Sequence, residues 1–191
     1  MRRAHQQVER GRRAAVDAAE RGGHGMGVAA GQAQQFDGAL RQVITQNKFR
    51  IGIKNHIHVY DDFAHHPTAI ATTLDGLRKQ VGKARILAVL EPRSNTMKLG
   101  VMKSQLPNSL RSADLVFAYG AISGKDALGW DLQEAIAPLA ERGKSFQDLS
   151  RLVESIGTAA KPGDHILVMS NGGFGGVHQK ILQRLSESEI K

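Results

Sequence analysis

From about residue 56 onward the apolar positions follow two alternating rhythms. Short, nearly unbroken apolar runs alternate with stretches in which large side chains recur every three or four residues. Ile57–Tyr60, Arg85–Leu90, Leu115–Tyr119 and Ile166–Met169 read as strands, and Lys144–Asp148 as a shorter, more polar one. Pro67–Val81 reads as a helix: Pro67 suits its first turn, and Ile70, Leu74, Leu77 and Val81 share a face. Val101–Leu110 has a helical pattern that Pro107 must kink or break. Asp131–Ala140 opens with an Asp131/Glu134 capping-box pattern. Leu149–Ala159 carries Leu149, Leu152, Val153 and Ile156 on one side, and Gly176–Leu185 closes the series through Val177, Ile181 and Leu185.

Strands that are apolar throughout belong in the middle of a sheet covered on both faces. Their alternation with helices predicts an α/β, Rossmann-like domain. Its sheet should be mainly parallel, of about five or six strands, joined by right-handed crossovers with helices on both faces.

The first 51 residues break this rhythm. They are rich in Arg, Gln, Ala and Gly, with a possible helix over Arg3–Glu20 and then Gly22, Gly23, Gly25, Gly27 and Gly31. Too few large apolar residues are present to build a core. The expected division is therefore a basic Gly/Arg/Gln-rich stretch at 1–51, non-native or disordered, and a folded domain at 52–191.

Charge sharpens that division. The net charge is +8, but residues 1–55 hold 10 Lys/Arg against 4 Asp/Glu, and residues 56–191 hold 16 against 14. A nucleic-acid partner would have to use the first stretch, whose single aromatic before residue 49 is Phe36, so no stacking platform exists and no nucleic acid is expected. Cysteine is absent, which removes disulfides and thiolate metal sites. No run of 18 apolar residues suggests a membrane helix, and the basic start has no apolar leader segment behind it, so a cytoplasmic protein is expected.

Ligands of parallel α/β sheets bind beyond the carboxyl ends of the strands. The segments that follow the predicted strands there are Asp61-Asp62-Phe63-Ala64-His65-His66, Glu91-Pro92-Arg93-Ser94-Asn95-Thr96, Gly120–Asp126 and Ser170-Asn171-Gly172-Gly173-Phe174-Gly175-Gly176. They gather titratable, polar and glycine residues on one edge. Asp62, His65 and His66 either cap the helix starting at Pro67 or face an anionic ligand at its N-terminus. Arg93 is either a surface ion-pair residue or a bidentate clamp for a carboxylate. The glycines of 172–176 make either a capped turn or a close backbone approach to a ligand. Gly120–Asp126 is one residue short of a P-loop and has Asp126 where Ser/Thr must meet magnesium. His56, His58, His65 and His66 do not complete a zinc-ligand spacing, so no metal site is expected.

Val59-Tyr60-Asp61-Asp62-Phe63-Ala64-His65-His66-Pro67-Thr68 resembles the opening motif of the C-terminal domain of Mur ligases that act on UDP-N-acetylmuramate. Glu91–Met97 and Ser170–His178 resemble the branch of that family that adds a tripeptide rather than a single alanine. The resemblance covers about residues 52–185. It implies an ATP- and magnesium-dependent carboxylate–amine ligase of the bacterial cytoplasm. Such an enzyme joins UDP-N-acetylmuramate to L-alanyl-γ-D-glutamyl-meso-diaminopimelate through an acyl phosphate, recycling wall peptide. It further implies that Asp62, His65 and His66 face the nucleotide phosphates. Arg93, Ser94, Asn95, Ser170, Asn171, Gly172, Gly173 and Phe174 would receive the peptide, with Arg93 pairing one of its carboxylates. No catalytic residue is implied on this chain.

The family's central ATPase domain and its UDP-binding domain have no counterpart in the 191 residues. The expectation is a truncated, mis-started or frame-shifted ligase product that binds no ATP alone and depends on the missing domains. The competing reading is a stand-alone peptide- or nucleotide-binding module without catalysis.

Overall fold

A computed structural model of the protein describes residues 50–124 and 127–187. The expectations for residues 1–49, including a helix over Arg3–Glu20, lie outside the described residues.

Six strands form one sheet: β1 (Arg50–Lys54), β2 (Ile57–Asp62), β3 (Ile86–Leu90), β4 (Leu115–Tyr119), β5 (Gly143–Phe146) and β6 (His165–Met169). Their spatial order is β1-β2-β6-β3-β4-β5, with β1 antiparallel to β2 and every other pairing parallel. The α/β, mainly parallel architecture expected from the sequence is therefore present. Among the described residues six helices accompany the strands: α1 (Pro67–Val81), α2 (Asn95–Lys98), α3 (Leu106–Ser109), α4 (Leu132–Ile136), α5 (Leu149–Ala159) and α6 (Val177–Glu187).

Alternation along the strands divides the core into two layers. Ile86, Ala88 and Leu90 of β3 join Ile70, Leu74 and Leu77 of α1 and Leu106, Leu132 and Ile136 on one face. Leu87 and Val89 join Leu152, Val153 and Ile156 of α5 and Val177, Ile181 and Leu185 of α6 on the other. All five residues of β3 are 0% exposed. Burying each large aliphatic side chain there stabilises the fold by about 1.5–3 kcal/mol relative to exposure. That explains why the central strands lack a polar alternation.

Local chemistry sets the ends of the elements. Pro67 occupies the first turn of α1, and Gly82, at φ +62°, ends it with its N–H donating to the Arg78 carbonyl. Asp131 caps α4, its carboxylate accepting from Gln133 N (2.7 Å) and Glu134 N (3.1 Å). Asp148 does not extend β5. It caps α5 by accepting from Arg151 N at 2.7 Å.

Two stretches differ from the sequence reading. The helix expected over Val101–Leu110, with its break at Pro107, is two short pieces, a single 3-10 turn at Lys103–Gln105 and α3. Pro107 sits in the first turn of α3 and cannot supply the N–H that a continuous helix needs. The second stretch is β1, which crosses the expected boundary at 51/52. It reaches β2 through a two-residue turn, with Lys54 opposite Ile57 and positive φ at Asn55 (51°) and His56 (59°). Among the described residues no helix is long and apolar enough to cross a membrane.

Candidate functional site

Because β2, β3, β4 and β6 are parallel, the segments after them emerge on one edge of the sheet. The strand order places β6 between β2 and β3. The Ser170 segment is thereby inserted between the Asp62 and Arg93 segments. Ser170 N donates to the Asp62 carbonyl (3.1 Å), and Glu91 N donates to the Met169 carbonyl (3.0 Å). Three segments far apart in sequence become neighbours with a shared backbone frame.

The segment after β2 is turned inward. Asp62 is buried, and its Oδ1 accepts from Ala64 N (2.7 Å) and Thr73 Oγ1 (3.4 Å). His65 is also buried. Its Nδ1 lies 2.9 Å from the Phe63 carbonyl, and its ring meets Phe63 edge-on at 5.4 Å. Both side chains hold the turn that launches α1. His66 occupies the N-cap position with extended backbone and makes no side-chain cap bond.

On the segment after β3, Glu91 is 8% exposed and accepts the Ser170 hydroxyl at 2.5 Å. Arg93 Nη1 lies 3.9 Å from Glu91 Oε2. Ser94 caps α2, its Oγ accepting from Met97 N at 3.3 Å, and Asn95 is the first, exposed residue of that helix. Trp130 braces the far end by donating from Nε1 to the Met97 carbonyl at 2.6 Å.

The segment after β6 meets Arg93 face to face. A Cβ at Gly172 would stand 2.2 Å from Arg93 Nη1, so the guanidinium lies directly against the backbone at Gly172. Gly172 N donates to Ser170 Oγ at 3.1 Å, and Gly173 borders open space. Asn171 Oδ1 is buried and finds no hydrogen-bond partner among the described residues. Phe174 is 2% exposed and packs in the core against Tyr119, ring centroids 5.6 Å apart, so it anchors the loop from below. Gly175 and Gly176, at φ +55° and +70°, then turn the chain into α6.

The edge therefore combines one guanidinium, a buried carboxylate, an unpartnered amide oxygen and exposed glycine backbone. This set suits a polar ligand carrying carboxylate and N–H groups. Glu91 is a residue of this edge that the sequence motifs alone do not assign. Its signal was a carboxylate closing an otherwise apolar strand. A second unassigned pair is His178 and Asp61, with Nε2 3.1 Å from Oδ1 at the start of α6. Lys125 and Asp126 of the P-loop-like run lie outside the described residues. Among those described, no group of three His, Cys, Asp or Glu is placed to hold a metal ion.

The Mur ligase glutamate ligase domain model matches residues 49–172, and the chain belongs to this family. The UDP-N-acetylmuramate–L-alanyl-γ-D-glutamyl-meso-2,6-diaminoheptandioate ligase of Escherichia coli K12 is 50% identical over 137 residues, covering 71% of this chain and 29% of that protein. A solved domain described as part of the corresponding ligase of Haemophilus ducreyi is 49% identical. It superposes with a TM-score of 0.60 over 71% of this chain and 97% of that one. A murein peptide ligase structure from Psychrobacter arcticus is 43% identical with a TM-score of 0.63, over 72% of this chain and 29% of that one. The chain thus spans under a third of the length of the curated relative it matches.

Proposed function

We propose that this chain carries the peptide-receiving domain of an ATP-dependent ligase of peptidoglycan recycling. The reaction is the joining of UDP-N-acetylmuramate to L-alanyl-γ-D-glutamyl-meso-diaminopimelate in the bacterial cytoplasm. The observation that carries this reading is the meeting of Arg93 with Gly172, in a chain 50% identical over 137 residues to a ligase named for that reaction.

In this reading Arg93 pairs with a carboxylate of the tripeptide, and Asn171 Oδ1 takes one of its N–H groups. Ser94 and Asn95 border the peptide from the start of α2, and Ser170, Gly172 and Gly173 line the facing loop. Phe174 holds that loop in place from the core. The domain's task is positioning: it presents the amine to the activated lactyl carboxylate of the sugar.

ATP and magnesium would be held chiefly by the family's central domain. On this chain His66 is the residue best placed to face phosphate, because it stands at the N-terminus of a 15-residue helix. Asp62 and His65 keep the turn beneath it in shape.

Calorimetric titration of the chain with the free tripeptide tests the reading. Saturable binding that L-alanine does not reproduce is expected. Failure to bind at millimolar tripeptide rejects the peptide-receiving role. The competing module reading gains if binding is tight and adding the missing ligase domains restores no ligation.

A further inference from the structure

We propose that Glu91 is the positioning residue of this edge: its buried carboxylate sets the orientation of Arg93 and locks the Ser170–Gly173 loop against it. The proposal rests on the peptide-receiving reading only for what the edge binds. The linkage itself is a property of the unliganded chain.

Glu91 directly follows the fully buried strand β3 and is tied by its own N–H to the Met169 carbonyl, which holds its backbone in place. Its carboxylate is among the few buried charged groups of the described residues. Leaving a carboxylate away from water is costly unless donors compensate it. Ser170 Oγ supplies one at 2.5 Å, and the same oxygen accepts from Gly172 N at 3.1 Å. Arg93 Nη1 stands 3.9 Å from the same carboxylate oxygen that Ser170 engages. A continuous path therefore runs from Glu91 through the Ser170 hydroxyl to the Gly172 amide. The guanidinium lies directly on that glycine.

This arrangement gives Glu91 two effects. It fixes the loop on which Arg93 rests, and its negative charge draws the guanidinium to one side of the edge. At 3.9 Å the ion pair is longer than a direct charge-assisted hydrogen bond, which runs to about 2.7–2.9 Å.

Two measurements on the full 191-residue chain test the proposal. The first is hydrogen exchange of backbone amides without ligand. Glu91→Gln is expected to speed exchange at Gly172 by about tenfold or more, while Leu87 and Val89 in β3 keep their protection. Glu91→Asp keeps the charge but draws it back by one methylene, and it must loosen Gly172 in the same way. It serves if the Gln variant does not fold. Unchanged Gly172 exchange in a folded variant overturns the linkage, whatever the chain binds.

The second measurement is a double-mutant cycle on tripeptide binding. Glu91→Gln is expected to weaken binding about tenfold in the wild-type background and hardly at all beside Arg93→Ala, because it acts through Arg93. Additive losses would assign Glu91 a merely structural role and overturn the positioning claim. If the wild-type chain binds no tripeptide, the peptide-receiving reading fails. In that case the exchange measurement alone decides for or against the linkage.

Discussion

His58 and His165 stand opposite each other on neighbouring parallel strands, their rings stacked with centroids 4.8 Å apart and 13° from parallel. Tyr60 joins them, its hydroxyl 2.8 Å from His165 Nδ1. Burial, then the charges of His58 and Arg78, push the His165 ring down to about 4 from its ordinary 6.5. Burial, Arg50 and His56 also lower His58. The His165 ring is neutral in the folded chain at pH 7, and both rings take up protons more readily once it unfolds.

A group whose folded pKa is depressed contributes stability that is complete above its unfolded value and is lost as pH falls toward the folded one. For His165 the window is 6.5 down to about 4. The melting temperature should therefore fall as pH is lowered through that range. His165→Gln, which has no titrating ring, should flatten the decline. Thermal melts of both proteins across the range check this, and equal slopes refute it.

Gly172→Ala is expected to leave the fold standing while spoiling the site. The new methyl would occupy the place of Arg93 Nη1, and the guanidinium, at the end of a flexible side chain, must move. Melting should change little, because Gly172 is exposed and its φ is not in the left-handed region. Tripeptide affinity should drop. Loss of melting temperature with unchanged affinity would reverse the assignment.

Arg93→Ala should cost tripeptide binding about 2–5 kcal/mol, the usual penalty for removing one side of a desolvated charge pair. In a full-length ligase carrying this domain, the KM for tripeptide should rise while that for ATP stays near wild type. The opposite pattern would move Arg93 to the nucleotide.

The 191-residue chain by itself should release no phosphate from ATP when given UDP-N-acetylmuramate and tripeptide. Its one P-loop-like run, Gly120–Asp126, is a residue short and has Asp126 at the magnesium-binding position. A P-loop works through backbone amides and a lysine cradling the phosphates. A phosphate-release assay above the no-enzyme background would contradict the expectation.

Much of the architecture was legible because it is local. A run such as Ile86–Leu90, apolar at every position and bounded by helical patterns, reads as a strand covered on both faces, and α1 and α5 announce themselves by spacing, α1 also by Pro67. The three edge motifs were legible for the same reason, each being a contiguous string. β1 was missed as an element because its five residues are mostly exposed and carry no burial pattern. The break in the helical pattern over Val101–Leu110 was legible at Pro107, whereas the bond from Trp130 to the Met97 carbonyl, 33 residues away, leaves no local pattern.

What the sequence by itself determined was the parallel strands, the long helices, and which polar groups follow each of those strands. Only the tertiary structure decided which of those groups touch. Insertion of the last strand between β2 and β3 sets Ser170 against Glu91, 79 residues away, and lays Gly172 under Arg93. Strand order depends on how the helices pack across both faces of the sheet, a sum over distant contacts. It likewise turned Phe174 inward as a core anchor and left Asn171 Oδ1 at the edge without a partner among the described residues.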